Sequence, residues 1–181
     1  TDQVAFQYSP GWGGDGVPDY LNIAGSRARG VELEGALQRP MGGVTATVSY
    51  AYVDTAVVAT VSTAEQFQPG QPLLRRPKHS GNVQVNYARG PASVNLNVQV
   101  TGDRHDAAFL GLARQSDGLP VDITLNPSYT LVSLGGQYRL SNELTLFLRA
   151  DNLTDARYES VLGYPGLPRA FVIGGRFNLG L

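Results

Sequence analysis

An all-β fold, an antiparallel up-and-down barrel whose apolar side faces lipid, is predicted from three observations. Apolar and polar residues alternate with period two in segment after segment. The links between these segments alternate between tight turns and long loops, and the polar side of the alternation is built from Asn, Gln, Thr and Ser rather than Lys and Glu.

Eight segments carry the alternation. At the front, Val4, Phe6 and Tyr8 alternate with Gln3, Ala5 and Gln7, and in the next segment Val31, Leu33 and Leu37 oppose Glu32, Glu34 and Gln38. Over 44–52, Val44, Ala46, Val48, Tyr50 and Tyr52 face one way and Thr45, Thr47, Ser49 and Ala51 the other. Val83, Val85 and Tyr87 oppose Asn82, Gln84 and Asn86, and Val94, Leu96, Val98 and Val100 oppose Asn95, Asn97, Gln99 and Thr101. The segment 129–140 has Val132, Leu134, Tyr138 and Leu140 against Ser133, Gln137 and Arg139. Leu144, Leu146, Leu148 and Ala150 then oppose Thr145, Phe147, Arg149 and Asp151, and Phe171, Ile173, Phe177, Leu179 and Leu181 oppose Val172, Arg176 and Asn178.

Tight links fall at Arg39-Pro40-Met41-Gly42, Arg89-Gly90-Pro91 and Ser141-Asn142, all turn-forming chemistry. Long links rich in Gly, Pro and Asp occupy about 9–20, 54–72, 106–127 and 153–168. A meander of this kind gathers its turns at one end and its loops at the other. The loops exceed the roughly 4–6 residues of ordinary connectors and are expected to carry function.

A soluble sandwich or lipocalin-like barrel also alternates, but its outward side is usually rich in Lys and Glu. Here the single lysine is Lys78, and charged residues make up 16% of the 181 residues against roughly 25% in a typical soluble domain. The polar side suits a wet or side-chain-filled lumen, and Tyr50, Tyr52, Tyr87, Tyr138, Phe171 and Phe177 lie near segment ends on the apolar side, where interfacial girdles form. Balanced charge, 14 Lys+Arg against 15 Asp+Glu, argues against a nucleic-acid partner. The lack of Cys excludes disulfides and thiolate metal sites, and no apolar run reaches the roughly 18 residues of a membrane helix. Thr1 in place of Met suggests a mature chain or an excised piece.

Three phrases carry a family resemblance. Asp151-Asn152-Leu153 with Asp155 and Tyr158, then Gly163-Tyr164-Pro165-Gly166 and Pro168-Arg169-Ala170-Phe171, resemble the C-terminal end of TonB-dependent outer-membrane receptors. Ser26-Arg27-Ala28-Arg29-Gly30-Val31-Glu32-Leu33-Glu34 looks like that family's "arginine, glycine, valine, glutamate" strand, and Leu74-Arg75-Arg76-Pro77-Lys78-His79 like its "arginine, x-proline, x-histidine" strand entry. Where the family commonly has Pro-Gly-Arg, this chain reads Gly166-Leu167-Pro168-Arg169; where it usually closes on an aromatic residue, this chain has Leu181, with Phe177 on the same face. The resemblance implies a barrel of about 22 strands with an N-terminal plug and a TonB box, importing scarce nutrients such as ferric siderophores, haem or cobalamin. Residues 1–181 would then be the C-terminal segment of the barrel, supplying about eight strands and outer loops, with plug and earlier strands absent.

The resemblance implies a ferric siderophore or cobalamin as substrate, TonB as a partner through the missing plug, and membrane lipid and lipopolysaccharide around the wall in the Gram-negative outer membrane. It implies no enzyme activity and no cofactor. The alternative is a free-standing eight-stranded outer-membrane barrel with a structural or adhesion role, its lumen filled by its own Glu, Arg and Asn side chains. An enzyme is disfavoured because no nucleophile and base stand together in the sequence.

By parity Glu32, Glu34, Arg149, Asp151 and Arg176 are expected to face the lumen, paired with one another or with a plug, since charge facing lipid is costly. Trp12 in the glycine-rich loop Gly11-Trp12-Gly13-Gly14-Asp15-Gly16, His105 in Asp103-Arg104-His105-Asp106, Tyr164 and Arg169 are loop candidates for substrate contact. His105 and His79 lack the partners that a metal site needs; His105 reads as a solvated strand-end residue and His79 as a structural or lumen residue.

Overall fold

The computed structural model describes residues 3–6, 20–23, 25–39, 43–60, 68–107 and 123–178, and every described element is a β-strand. The strands are β1 (Gln3–Phe6), β2 (Tyr20–Ile23), β3 (Gly25–Arg39), β4 (Val44–Ala59), β5 (His79–Arg89), β6 (Ala92–Thr101), β7 (Arg104–Ala107), β8 (Ile123–Asn126), β9 (Tyr129–Arg139), β10 (Leu144–Asp151), β11 (Glu159–Val161), β12 (Tyr164–Pro165) and β13 (Ala170–Phe177). Seven form one antiparallel sheet in the order β13-β10-β9-β6-β5-β4-β3. Among the described residues β3 and β13 pair only inward, so the sheet is open.

Seven of the eight alternating segments are thus strands of the main sheet. The front one differs: β1 pairs with β2, from Gln3↔Ile23 to Phe6↔Tyr20, and β2 is followed after one residue by β3. The strands also run further than the alternation suggests. β4 reaches Ala59, and β6 and β9 are prolonged outward by the paired β7 and β8.

Register explains why the alternation has to be read across strands as well as along them. Leu37, Ala46, Val85, Leu96, Leu134, Ala150 and Phe171 are successive cross-strand partners over all seven strands, giving one unbroken apolar row. One residue over, Gln38, Thr45, Asn86, Asn95, Gly135, Arg149 and Val172 form the row on the opposite face. A slip of one residue in any strand would exchange the faces, so the pattern itself fixes the register. All six aromatic residues expected near segment ends share the apolar face by this register.

Almost none of this apolar surface is covered. Val57 and Ala150 are the buried hydrophobic residues among those described, while Leu33, Leu37, Leu148, Phe171 and Ile173 are exposed, Ile173 by 84%. A soluble sheet of this size would bury such a face against a second layer.

The tight turns follow from local chemistry. Gly43 sits at φ +66°, and a Cβ there would collide with the Ala88 carbonyl, whose own N–H donates to the Gly43 carbonyl at 2.7 Å; only glycine fits. Between β9 and β10, Ser141 Oγ accepts from the N–H groups of Glu143 and Leu144, both at 3.1 Å, closing the turn. On the other side the strands run on into the long connections, where the site lies.

Candidate functional site

Three of the long connections meet above one end of the sheet. The segment 68–78 runs beside the outer part of β4: Val57 N–H donates to Gln71 O (2.8 Å), Val53 N–H to Lys78 O (2.9 Å) and Leu73 N–H to Thr55 Oγ1 (3.2 Å). These bonds bury Thr55 and Val57. The β7–β8 ladder forms the second connection, with Arg104 opposite Asn126 and Asp106 opposite Thr124. The third, 152–169, folds over β9 and contains the β11–β12 ladder.

A buried carboxylate joins them. Asp106 has no exposed surface; its Oδ1 accepts from Arg75 Nε at 2.7 Å, and its Oδ2 from the Leu162 N–H at 2.8 Å and Asn126 Nδ2 at 3.5 Å. Asn126 also donates to Glu159 O at 3.1 Å, and the Arg75 N–H to His105 O at 2.8 Å. Arg104, 4% exposed, donates through Nη2 to the Glu159 and Ser160 carbonyls and lies 5.5 Å from the centre of the Tyr129 ring. Its Nη1 has no hydrogen-bond acceptor among the described residues. A charge held this far from water is tolerated only when paired and hydrogen-bonded, and Arg75 with its neighbours supplies both.

The last connection is closed by a clasp made from the Asp151-Asn152-Leu153 phrase. Asn152, 5% exposed and at φ +49°, donates through Nδ2 to the carbonyls of Ala156 and Leu167, both at 3.0 Å, and accepts the Ala156 N–H at 2.9 Å. The Leu153 N–H returns to Val132 O on β9 at 2.8 Å. Asp155 receives the Arg169 N–H at 3.2 Å and pairs with its guanidinium at 3.6 Å. Tyr158 lies with its ring 4.6 Å from that of Tyr129 and against Gly166, where a Cβ would strike the Tyr158 ring. A cavity of about 710 Å³ opens here, lined by Asn126, Ser128, Arg157, Tyr158, Glu159 and Leu162 among others.

Of the loop residues expected to touch substrate, His105 is exposed on β7, where it pairs with Leu125; Tyr164 is 56% exposed on β12; and Arg169 is held by the clasp. Trp12 lies outside the described residues, as does Leu181. Glu32, Glu34, Arg149, Asp151 and Arg176 share the face of the Asn and Gln rows. Only one mutual pair forms among them, Arg149 Nε to Asp151 Oδ2 at 2.8 Å; four strands of the sheet lie between the strand of Glu32 and Glu34 and that of Arg149. Beside Arg149 a trough of about 750 Å³ is lined by amides, including Gln84, Asn86, Asn95, Asn97 and Gln137.

Of the two expectations for His79, a structural or a lumen residue, the register supports the first. His79 lies opposite Tyr52 on the apolar face, accepts or donates at Nδ1 to Tyr50 Oη at 2.7 Å and stacks 6.1 Å from the Tyr50 ring. The next row outward on that face carries Arg29 and Asp54, and the one beyond it Arg27. Asp54 is taken by Lys78 at 3.1 Å, a contact that raises the lysine's pKa, and Arg27 and Arg29 have no carboxylate partner among the described residues. Among the described residues, no three His, Asp or Glu side chains converge as a metal-binding set.

Arg75, Arg104, Asp106 and Asn126 are not among the residues the sequence singles out. Their signal is confined to the charged phrases Arg75-Arg76 and Asp103-Arg104-His105-Asp106, which do not show that these side chains converge.

An open sheet with one lipid-ready face, one amide-lined face, tight turns at one end and knotted loops at the other defines part of the wall of an outer-membrane β-barrel. Comparison with known proteins narrows this class. The family model for the TonB dependent receptor-like β-barrel matches residues 1–153, and the chain belongs to that family, whose members are outer-membrane proteins of Gram-negative bacteria. The metal-pseudopaline receptor CntO of Pseudomonas aeruginosa is 31% identical over 178 residues, covering 89% of this chain and 22% of that protein. The ferripyoverdine receptor of Pseudomonas aeruginosa shares the fold with a TM-score of 0.65 at 15% identity, over 87% of this chain and 20% of its own. The ferric-catecholate import receptor Fiu of E. coli does so with a TM-score of 0.64 at 21% identity, over 90% and 22%. The chain therefore spans about a fifth of the length of these relatives.

Proposed function

We propose that this chain is the C-terminal part of the barrel of a receptor that imports a metal chelate across the outer membrane, energised by TonB through a plug domain. The observation that carries the reading is the open seven-stranded sheet with its continuous apolar and amide rows, in a chain matching this family along most of its length. In this reading the amide face, with Glu32, Glu34, Arg149, Asp151 and Arg176, is the lumen wall against which the plug rests. The three knotted connections are outer loops that receive the substrate.

A small metal-chelating carrier of the siderophore or metallophore kind is favoured over cobalamin, because a relative at 31% identity is a metal-pseudopaline receptor. Arg27 and Arg29, cations just beyond the Tyr50-His79-Tyr52 cluster on the apolar face, support contact with the phosphate groups of lipopolysaccharide at the outer rim. A free-standing eight-stranded barrel would need β3 and β13 to meet, and the described sheet leaves them at opposite edges.

The test is uptake in a Gram-negative strain lacking the complete receptor and complemented with it. Labelled iron, zinc, nickel and cobalt chelates of siderophores and metallophores are offered beside labelled cobalamin. TonB-dependent accumulation of one metal chelate is expected. Accumulation of cobalamin alone would overturn the substrate class, and uptake that survives loss of TonB would overturn the mechanism.

A further inference from the structure

We infer that Asp106 is a positioning residue that locks three outer connections into one unit and thereby sets the shape of the cavity beside Tyr158. This deepens the proposed reading of these connections as the substrate-receiving loops, and rests on it for the cavity's purpose.

Three contacts of the Asp106 carboxylate reach three different connections: Arg75 in 68–78, Asn126 at the end of β8, and the Leu162 N–H in 152–169. Two of those partners, Asn126 and Leu162, line the cavity directly, and a third lining residue, Glu159, is held through its carbonyl by Asn126 and Arg104. Asp106 itself is wholly buried and does not line the cavity, so it acts through these neighbours rather than by touching a ligand. A carboxylate suits this hub because it accepts several donors at once, in directions spread around two oxygens. An amide in its place presents one acceptor oxygen and turns an NH₂ group towards Arg75 or the Leu162 N–H, donor against donor. An amide therefore strands only the donors facing one oxygen, whereas alanine removes both oxygens and the loss falls on all three connections together; removing one donor loosens only one.

The experiment uses the complete receptor in lipid nanodiscs, without substrate. Spin labels are placed in pairs at three exposed sites, using Arg76→Cys, Leu125→Cys and Leu167→Cys, one on each connection; this stretch has no cysteine of its own. Pulsed dipolar spectroscopy then gives the width of each distance distribution. Asp106→Ala is expected to broaden all three pairs, by about twofold or more, because the connections then open independently. Arg75→Gln is expected to broaden the two pairs that include residue 76 and to leave 125–167 narrow. Asp103→Asn, an exposed neighbour, is expected to change none. Heat-modifiable mobility on gels checks that each variant is folded; should Asp106→Ala fail to fold, the Arg75→Gln pattern still decides.

Unchanged widths in Asp106→Ala, broadening of a single pair in it, or equal broadening of all pairs in Arg75→Gln would overturn the inference. These readouts need no substrate. Absence of chelate uptake by the unaltered receptor would sink the functional reading and leave the coupling of the connections standing.

Discussion

Leu134 and Ser133 are neighbours in the chain and opposites in the wall, so placing an arginine at each tests the assignment of faces. Leu134 lies at the middle of β9, between Leu96 and Ala150, five residues from Tyr129 and five from Arg139. Five residues at roughly 3.4 Å each on a strand tilted by roughly 40° put it about 13 Å from either end along the membrane normal, the midplane of an apolar band about 25 Å tall. An arginine facing lipid at that depth costs about 2–4 kcal/mol, or roughly 30- to 900-fold in the folding equilibrium. Ser133 faces the other way, opposite Asn97, where an arginine meets amides and water. Leu134→Arg is expected to destabilise the receptor by that amount, and Ser133→Arg by less than about 1 kcal/mol. The assay is reversible denaturant unfolding in lipid vesicles followed by tryptophan fluorescence. Equal costs at the two positions, or a larger cost at Ser133, would refute the reasoning.

Other substitutions probe the close contacts. Gly174→Ala drives a methyl into the Phe147 ring and is expected to cost about 1–3 kcal/mol, most of it regained with Phe147→Ala, as unfolding in vesicles would measure. Asn152→Ala strands the Ala156 N–H and two carbonyls and should make 152–169 sensitive to added protease on intact cells; Asn152→Gly, which accepts the left-handed backbone but lacks the amide, should behave alike. If Asn152→Gly resists protease, backbone conformation rather than the clasp holds the connection. Gly166→Ala is expected to displace Tyr158 from Tyr129, visible as a changed tyrosine ring signal by NMR, and to have no further effect once Tyr158 is Ala. Arg27→Gln with Arg29→Gln should reduce lipopolysaccharide co-purifying with the receptor, and an unchanged amount would remove the rim contact from the account.

The architecture was legible because a barrel strand writes its two environments into alternate residues. From Val44 to Tyr52 and from Val94 to Thr101 that record is unmixed, and the strands stand where it puts them. Alternation is silent about which segment pairs with which at the margins, so the front segment paired with β2 rather than with the main sheet. The clasp is half legible: the Asn152-Leu153 phrase and Arg169 stand out in the sequence, but their joining depends on a left-handed Asn152 and a carbonyl fifteen residues on. The knot was not legible. A buried Asp106 and a solvated one have the same neighbours in sequence, and what distinguishes them is the arrival of Arg75 and Leu162 from other connections. The side of the wall that His79 takes is not legible, because imidazole reads as polar, whereas between Tyr50 and Tyr52 it belongs to an aromatic interface.

The central claim is that this sheet is a membrane wall with one face in lipid and the other in a wet lumen. It is tested most directly by spin labels placed singly at positions 131 to 138 of β9 in the complete receptor, with collision rates measured to oxygen, which prefers lipid, and to a water-soluble nickel chelate. The expected result is a period of two, with oxygen favoured at 132, 134, 136 and 138 and nickel relatively favoured at 131, 133, 135 and 137. Nickel access at all eight positions, or no alternation between them, would contradict it.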